Sequence, residues 1–431
     1  TRRIDDVISL GPGDSRKIEQ EDFYISFLEN GTWTPAQNMG APINTKMNQG
    51  AQSISADGRF LFYTSCEDLE NGYGSCDLYY SLKIGNIWSN PENCGTIINT
   101  ADWESQPSVT ADGRELFFSS GRPGGKGSYD LWHAKLGEDG YWMEPENLGD
   151  VINTPYLEQC PFIHPDGKTL YFASEGHPGM GSADLFYSTR DENGVWSKPI
   201  NLGYPINTQN REISLSVSSN GTTAYFSSDR DKTLGDLDIY SFELPPAVQA
   251  EQVTWVNAIV TDAKTKQPLK ASVQLMNIAT GEIVASSNSD PKTGEFLIVL
   301  PSGNDYGLFV QREGYLFHSE NFSLKNVMPD APYLIKVGLQ PINAGEILTL
   351  KNIFFETASA EILGVSEPEL NKVVEKKQKN PNMKIKVNGH TDNVGAEADN
   401  LKLSLNRSLS VKNYLIGKGI DASRITYQGY G

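Results

Sequence analysis

No apolar run in the 431 residues approaches the ~20 that a membrane-crossing helix requires, which excludes a helical span. Histidine is scarce, with five residues scattered at positions 133, 164, 177, 318 and 390. A Gly-x-Ser-x-Gly elbow, a His-Glu-x-x-His pair and a phosphate-binding glycine loop are all missing. Those absences remove the usual footholds for nucleophilic hydrolysis, zinc hydrolysis and nucleotide chemistry. The sequence reads as that of a non-enzymatic protein with no cofactor and no metal. The glycine-rich stretches Pro123-Gly-Gly-Lys-Gly and Pro178-Gly-Met-Gly occupy equivalent positions of a repeat and read as loops.

Positive charge is also short. Lys and Arg number 36 against 54 Asp and Glu, a net charge of −18. Between Gly345 and Gly431 the balance is 12 against 10, or +2, which leaves 24 against 44, or −20, before it. Phosphate binding draws on clustered Lys and Arg, so the acidic part excludes nucleic acid and anionic membrane surfaces as partners. Only the C-terminal segment is suited to an anionic polymer.

Cysteine is limited to four residues, all within the first 160. Cys66 and Cys76 flank a turn-rich stretch between two strand-like runs, where a disulfide is sterically open to them. Metal ligation is the rival reading, disfavoured by the ten-residue spacing and the lack of a neighbouring His. A bridge implies an oxidising compartment. Cys94 and Cys160 have no evident partner. The chain opens at Thr1 with no Met, signal peptide or lipidation signal, and reads as a mature or trimmed form.

What is present is repetition. Turn pairs fall at Asp57-Gly58, Asp112-Gly113, Asp166-Gly167 and Asn220-Gly221; tryptophans fall at Trp33, Trp88, Trp142 and Trp196. Ile-Asn-Thr recurs at Asn44, Asn99, Asn153 and Asn207, and every series steps by 55, 54 and 54 residues. Within each unit, turn signals alternate with short β-branched and aromatic runs such as Phe60–Tyr63, and then with a second run, Asp77-Leu-Tyr-Tyr, Asp130-Leu-Trp, Asp184-Leu-Phe-Tyr and Asp238-Ile-Tyr. This density of short strands predicts the four-stranded blades of a β-propeller. Residues 1–245 resemble the TolB-like, or WD-like, propeller repeat. The count is about five blades, with six also compatible, the first truncated near Thr1-Arg2-Arg3 and the ring closed by a strand upstream. The recurring Asp reads as a turn cap rather than a calcium ligand or catalytic acid, and the tryptophans as blade packing rather than a sugar platform.

Pro245-Pro246 marks a boundary, because proline cannot donate to a sheet ladder. Residues 250–341 then give five or more strands separated by turns, an antiparallel β-sandwich. It resembles the carboxypeptidase regulatory-like domain in Val260-Thr-Asp, Gly294-Glu-Phe and Gly314-Tyr, and such modules act as spacers or docking surfaces.

In residues 345–431 the period alternates between strand and helix, an α+β domain. Leu348–Phe355 is strand-like. A helix is predicted over Glu367–Lys379, stopped by Asn380-Pro381, and a strand over Lys384–Asn388. A second helix follows Asp399-Asn400, with Leu401, Leu405, Val411 and Leu415 as its apolar positions. Asn400 and Arg407 are seven apart and share one face of it. Asp392 ends the strand before it. A carboxylate and a guanidinium facing one pocket suit a zwitterionic amino-acid end, the Arg taking its carboxylate and the Asp its ammonium. The rival reading is that Asp392 and Arg407 pair with each other. His390 has neither a nucleophile nor a metal ligand beside it and reads as a packed or solvent-facing residue.

Gly389-His-Thr-Asp-Asn-Val-Gly, Asn400-Leu-Lys-Leu-Ser, Arg407 and Ile425-Thr-Tyr-Gln-Gly-Tyr-Gly resemble the OmpA C-terminal peptidoglycan-binding domain, with Asn352-Ile-Phe-Phe-Glu as its opening strand. The resemblance implies that Asp392 and Arg407 grip the diaminopimelate of the wall peptide. Thr391 and Asn400 then line the pocket, with Thr357 beside it. Domains of this kind run past the Gln-Gly-Tyr-Gly segment into a final strand that this chain does not contain. The order of propeller, sandwich and terminal domain resembles OmpA-family proteins of Bacteroidota, among them a component of the type IX secretion system. It implies a periplasmic anchor, held to the outer membrane by a lipid outside this sequence, that docks protein partners through the propeller. A Tol-Pal-like envelope-integrity factor and a glycan-binding propeller are the alternatives.

Overall fold

Each repeat of the first unit closes a loop of about twenty residues with one asparagine side chain. Asn99 accepts from the Leu78 N–H (2.8 Å) and donates to the Leu78 carbonyl (2.9 Å), completing with its side chain the pair of bonds that a neighbouring strand would make. Asn153 does the same for Leu131 and Asn207 for Leu185, each at 2.8 and 2.9 Å. Asn44 holds Phe23 likewise. The Ile-Asn-Thr period is therefore a period of backbone satisfaction.

These contacts belong to a computed structural model that describes the chain except for residues 1, 10–14, 30, 56–57, 67–70, 86, 112, 138, 219–220, 231–236 and 326–332; for 2–9 and 15–20 only the backbone is described. The turn residues Asp57, Asp112 and Asn220, the side chains of Arg2 and Arg3, and part of the loop between Cys66 and Cys76 lie outside the described residues. The chain divides into two compact units, one mainly Thr1–Trp255 and the other mainly Val256–Phe296, Ser302–Met328 and Tyr333–Gly431.

The first unit is a series of antiparallel sheets. One joins Glu104–Val109, Glu115–Ser120, Asp130–Lys135 and Glu146–Asn147 in chain order; the next joins Glu158–Ile163, Thr169–Ser174, Asp184–Thr189 and Ile200–Asn201. A three-stranded sheet follows over Glu212–Val217, Thr223–Ser228 and Asp238–Glu243. The opening strand of each carries a bulge, with Gln106, Cys160 and Ser214 at φ of 57°, 53° and 55°. At these bulges neighbouring sheets are tied together: the Cys160 N–H donates to the Gln106 side-chain oxygen (2.8 Å), and Cys160 Sγ lies 3.4 Å from Ser214 Oγ. The repeated Asp caps a turn, Asp130 accepting from the Lys126 and Gly127 amides and Asp184 from those of Met180 and Gly181.

The tryptophans pack sheet against sheet. Trp142 meets Phe62 edge-on at 6.1 Å and Trp196 meets Phe117 at 6.1 Å, each ring belonging to the preceding sheet. Trp33, in the first repeat, meets Tyr225 of the last at 6.3 Å, and Tyr225 stands where Phe62 and Phe117 stand in the period. After the last sheet, the turn Pro246–Val248 takes the place of the missing tryptophan strand. The Tyr171 hydroxyl donates to the Val248 carbonyl (2.8 Å) and that of Tyr187 to Ala247 (3.0 Å). Cys66 and Cys76 are joined in a disulfide, while Cys94 and Cys160 are free thiols.

The second unit begins with a sandwich whose four-stranded sheet runs Ile283–Asn288, Ser272–Asn277, Asp305–Gln311, His318–Ser323. One departure from an antiparallel sandwich is plain: Val256–Asp262 pairs in parallel with Tyr333–Leu339. A parallel pair needs a long crossover, which the intervening strands provide. Helix α1 (Glu367–Lys379) and helix α2 (Glu397–Gly417) then pack with the parallel strands Ile385–Gly389 and Ile425–Gly429. Their core of Leu370, Val373, Val374, Val411, Leu415, Ile420 and Ile425 also takes in Phe317 from the sandwich.

Two expectations fail here. Leu348–Phe355 is not a strand, and only Phe355 bridges, to Ile362. Its amides go to side chains instead: Lys351 N–H to Ser319 Oγ (3.2 Å), Asn352 N–H to Glu369 (2.7 Å) and Phe354 N–H to Ser366 Oγ (2.8 Å). Leu401 and Leu405 are exposed, and the buried positions on that half of α2 are Ser404 and Ser408, because the strands approach too closely for larger residues.

Replacing Asn153 by Ala strands the buried Leu131 N–H, while the Leu131 carbonyl keeps the Leu148 N–H (3.1 Å), and is expected to cost about 1 to 3 kcal/mol, read from the denaturant midpoint of the first unit. Asn44→Ala, at a partly exposed site, should cost clearly less. Burial pushes the Lys377 ammonium, which donates to the Met383 and Arg424 carbonyls, down from 10.5 to about 8. Between those values the unfolded chain binds the proton and the folded one does not, so stability rises with pH from about 8 toward 10.5. Urea midpoints across that window should climb less steeply in Lys377→Met than in the wild type.

Candidate functional site

Two glycines bring both strands onto α2. A Cβ on Gly389 would lie 2.1 Å from the Ser404 carbonyl oxygen, and one on Gly429 would lie 2.3 Å from the Leu405 nitrogen and 2.5 Å from Ser404 Oγ. Only backbone fits there, so the strand ends rest on the helix at its small residues. The chain beyond each strand is then fixed to the other: Tyr430 N–H donates to the Gly389 carbonyl (3.1 Å), Thr391 N–H to Gly431 (3.1 Å), and Gly431 N–H to Ser404 Oγ (3.0 Å).

Asp392 follows directly and is exposed. Its carbonyl accepts from Asn400 Nδ2 (3.2 Å), which also donates to the Val394 carbonyl (3.2 Å), and its carboxylate accepts from the Val394 N–H (3.3 Å). Asn400 thus clamps the loop that presents Asp392. Seven residues on, about 10 Å along the axis, Arg407 is half-buried. Its guanidinium lies over the Phe355 ring at 4.9 Å, and its Nε–H donates to the Ser359 carbonyl (3.0 Å).

Asp392 and Arg407 do not pair with each other, and among the described residues neither has an ion-pair partner within 4.0 Å. Both charges are oriented by neutral groups, which leaves them open to an external ligand. A half-buried guanidinium held at Nε keeps its terminal nitrogens in the planar fork that suits a carboxylate. Among the described residues the Thr391 hydroxyl is buried without a partner, and Thr357 is exposed two residues from the Ser359 carbonyl that holds Arg407. His390 stacks on Tyr430 (5.2 Å, 11° between rings), and Lys386 donates to the Tyr430 hydroxyl (2.9 Å).

Sequence reasoning missed Phe355 and Ser359 as supports of Arg407. Phe355 reads in the sequence as one more strand residue, and a carbonyl carries no residue-type signal. Among the described residues no group of His, Cys, Asp and Glu is arranged to hold a metal ion.

The OmpA family model matches residues 354–431, so the chain ends in an OmpA-family domain. Outer membrane protein Omp38 of Acinetobacter baumannii is 40% identical over 96 residues, 22% of this chain and 27% of that protein. Outer membrane protein A of Buchnera aphidicola is 39% identical over 83 residues, 19% and 24% of the two chains. Peptidoglycan-binding protein ArfA of Mycobacterium tuberculosis is 33% identical over 79 residues, 18% and 24%. The chain spans about a quarter of the length of these relatives. Among solved structures, an endo-arabinanase from Bacillus licheniformis aligns with 52% of this chain and 86% of its own at 13% identity and a TM-score of 0.36. A nidogen/laminin complex covers 65% and 95% at 12% identity and 0.33. Scores this low carry no argument.

Gly389→Ala and Gly429→Ala should each unfold the terminal strands and α2, seen as rapid proteolysis between 380 and 431, whereas Asp392→Ala should melt with the wild type, its carboxylate being exposed.

Proposed function

We propose that this protein is a non-enzymatic anchor that binds peptidoglycan, with Asp392 receiving the ammonium and Arg407 the carboxylate of the diaminopimelate in the stem peptide. The observation that carries this reading is the open pair: a guanidinium fixed by Ser359 and Phe355 and a carboxylate presented by Asn400, with no ion-pair partner for either charge among the described residues. The match of residues 354–431 to the OmpA family supports it, as does a relative named for peptidoglycan binding. Thr391, with its free hydroxyl, Asn400 and Thr357 line the pocket in this reading.

The first unit serves as the protein-docking part. Its reading as a closed propeller of five blades is supported by the Trp33–Tyr225 contact, which repeats between first and last units the contact made between consecutive ones. The order of modules resembles PorE of the type IX secretion system. The partners would then be outer-membrane or secretion components in the periplasm, with attachment to the outer membrane through a lipid outside this sequence.

The test is co-sedimentation with diaminopimelate-type sacculi. Wild type should bind. Asp392→Ala and Arg407→Ala should each lose about 2 to 5 kcal/mol, enough to abolish sedimentation, because truncating one group strands its counter-charge. Arg407→Lys keeps the charge and loses the fork, so full retention by that variant would count against carboxylate capture by the guanidinium. Wild type that fails to sediment would end the wall-anchor reading.

A further inference from the structure

The segment that aims Arg407 is held by the sandwich. Asn352 is fully buried, and its amide fills a slot over Gly307, where a Cβ would lie 3.0 Å from Oδ1. Its Nδ2 donates to Ser319 Oγ (3.0 Å) and the Glu320 carbonyl (3.2 Å), and its N–H donates to the buried Glu369 carboxylate of α1 (2.7 Å). Ser319 Oγ also accepts the Lys351 N–H, and Asn321 donates to the Lys351 carbonyl (2.9 Å). From the same strand region Phe317 enters the core between the helices. On the α1 side, Lys372 reaches Gln274 (2.5 Å) and lies over Phe309 at 4.9 Å.

Three residues after Asn352 comes Phe355, whose ring supports the Arg407 guanidinium, and Ser359 follows with the carbonyl that takes Nε–H. With no strand ladder through 348–355, this stretch has its position set by side chains. A shift at Asn352 is passed along a short segment, tied back on itself by the Leu363 N–H to the Phe354 carbonyl (3.0 Å) and the Phe355–Ile362 bridge, to the two groups that orient Arg407.

We infer that the sandwich is part of the frame of the wall-binding site, and that Asn352, seated on Ser319, Gly307 and Glu369, is a positioning residue that sets the Arg407 guanidinium through Phe355 and Ser359. The inference rests on the wall-binding reading for the role of Arg407, but the link from Asn352 to Arg407 is a property of the free protein. A spacer module would leave the pocket unchanged when its own contacts are altered; this one does not.

The experiment uses the full chain and two readouts. One is affinity for diaminopimelate-type sacculi; the other is the ¹H–¹⁵N resonance of the Arg407 Nε–H, assigned by its loss in Arg407→Lys. Asn352→Ala and Glu369→Ala should each weaken binding roughly tenfold or more, by the loss of a preorganised group, and should move the Nε–H resonance. Glu369→Gln, which still accepts the Asn352 N–H, should keep both near wild type. If Asn352→Ala does not fold, Ser319→Ala, which removes one acceptor, carries the same expectations. An unmoved resonance or undiminished binding in folded Asn352→Ala, or equal loss in Glu369→Gln and Glu369→Ala, overturns the inference. If wild type does not bind sacculi, the wall-binding reading fails while the resonance alone still decides the positioning link.

Discussion

At Ser404 two strands and a helix meet with no strand side chain between them, and the candidate site depends on that contact. Gly389 and Gly429 carry no Cβ, so the parallel strand ends settle on the α2 backbone, and the chain leaving each strand is fixed there. Asp392 emerges three residues after one glycine, and Gly431 closes onto Ser404 two residues after the other. A single methyl at either position would lift a strand from the helix and with it the loop that Asn400 clamps. The serines that replace apolar residues along this stretch of α2 follow from the same constraint.

The two units handle buried carboxylates differently. In the first unit the fully buried carboxylates Glu104, Glu158 and Glu212 each take the amide and hydroxyl of a threonine four residues earlier and the hydroxyl of a serine sixteen residues later. Arg230 lies 3.2 Å from Glu212, which compensates its charge. In the second unit Glu369 is buried without an ion-pair partner within 4.0 Å among the described residues, and burial pushes its carboxyl upward. Its bond to Asn352 is the join between the terminal helices and the segment that leaves the sandwich. One unit thus spends its buried charge on repetition and the other on a junction.

The terminal domain shows where sequence reading holds and where it slips. Helix α1 begins and ends at the predicted Glu367 and Lys379, because the Pro near its start and the Asn-Pro after it are local signals. The strand at 348–355 failed because its β-branched and aromatic residues suit a ladder, while the partners that took its amides, Ser319, Glu369 and Ser366, lie distant in sequence. Leu401 and Leu405 failed for a related reason: helical spacing marks a face, but glycines on other elements decided what that face touches.

The sequence by itself determined the period of the first unit, the alternation of helix and strand in the last, and the candidacy of Asp392, Asn400 and Arg407, since turn chemistry, periodicity and a charged pair near one helix are written in residue types; Thr391 came only through the family resemblance. Only the tertiary structure decided that Asp392 and Arg407 leave each other unpaired, that Phe355 and the Ser359 carbonyl aim the guanidinium, and that the sandwich grips the segment bearing them. Those outcomes turn on backbone carbonyls, ring faces and approach distances, which no residue letter records and which exist only once distant segments are packed together.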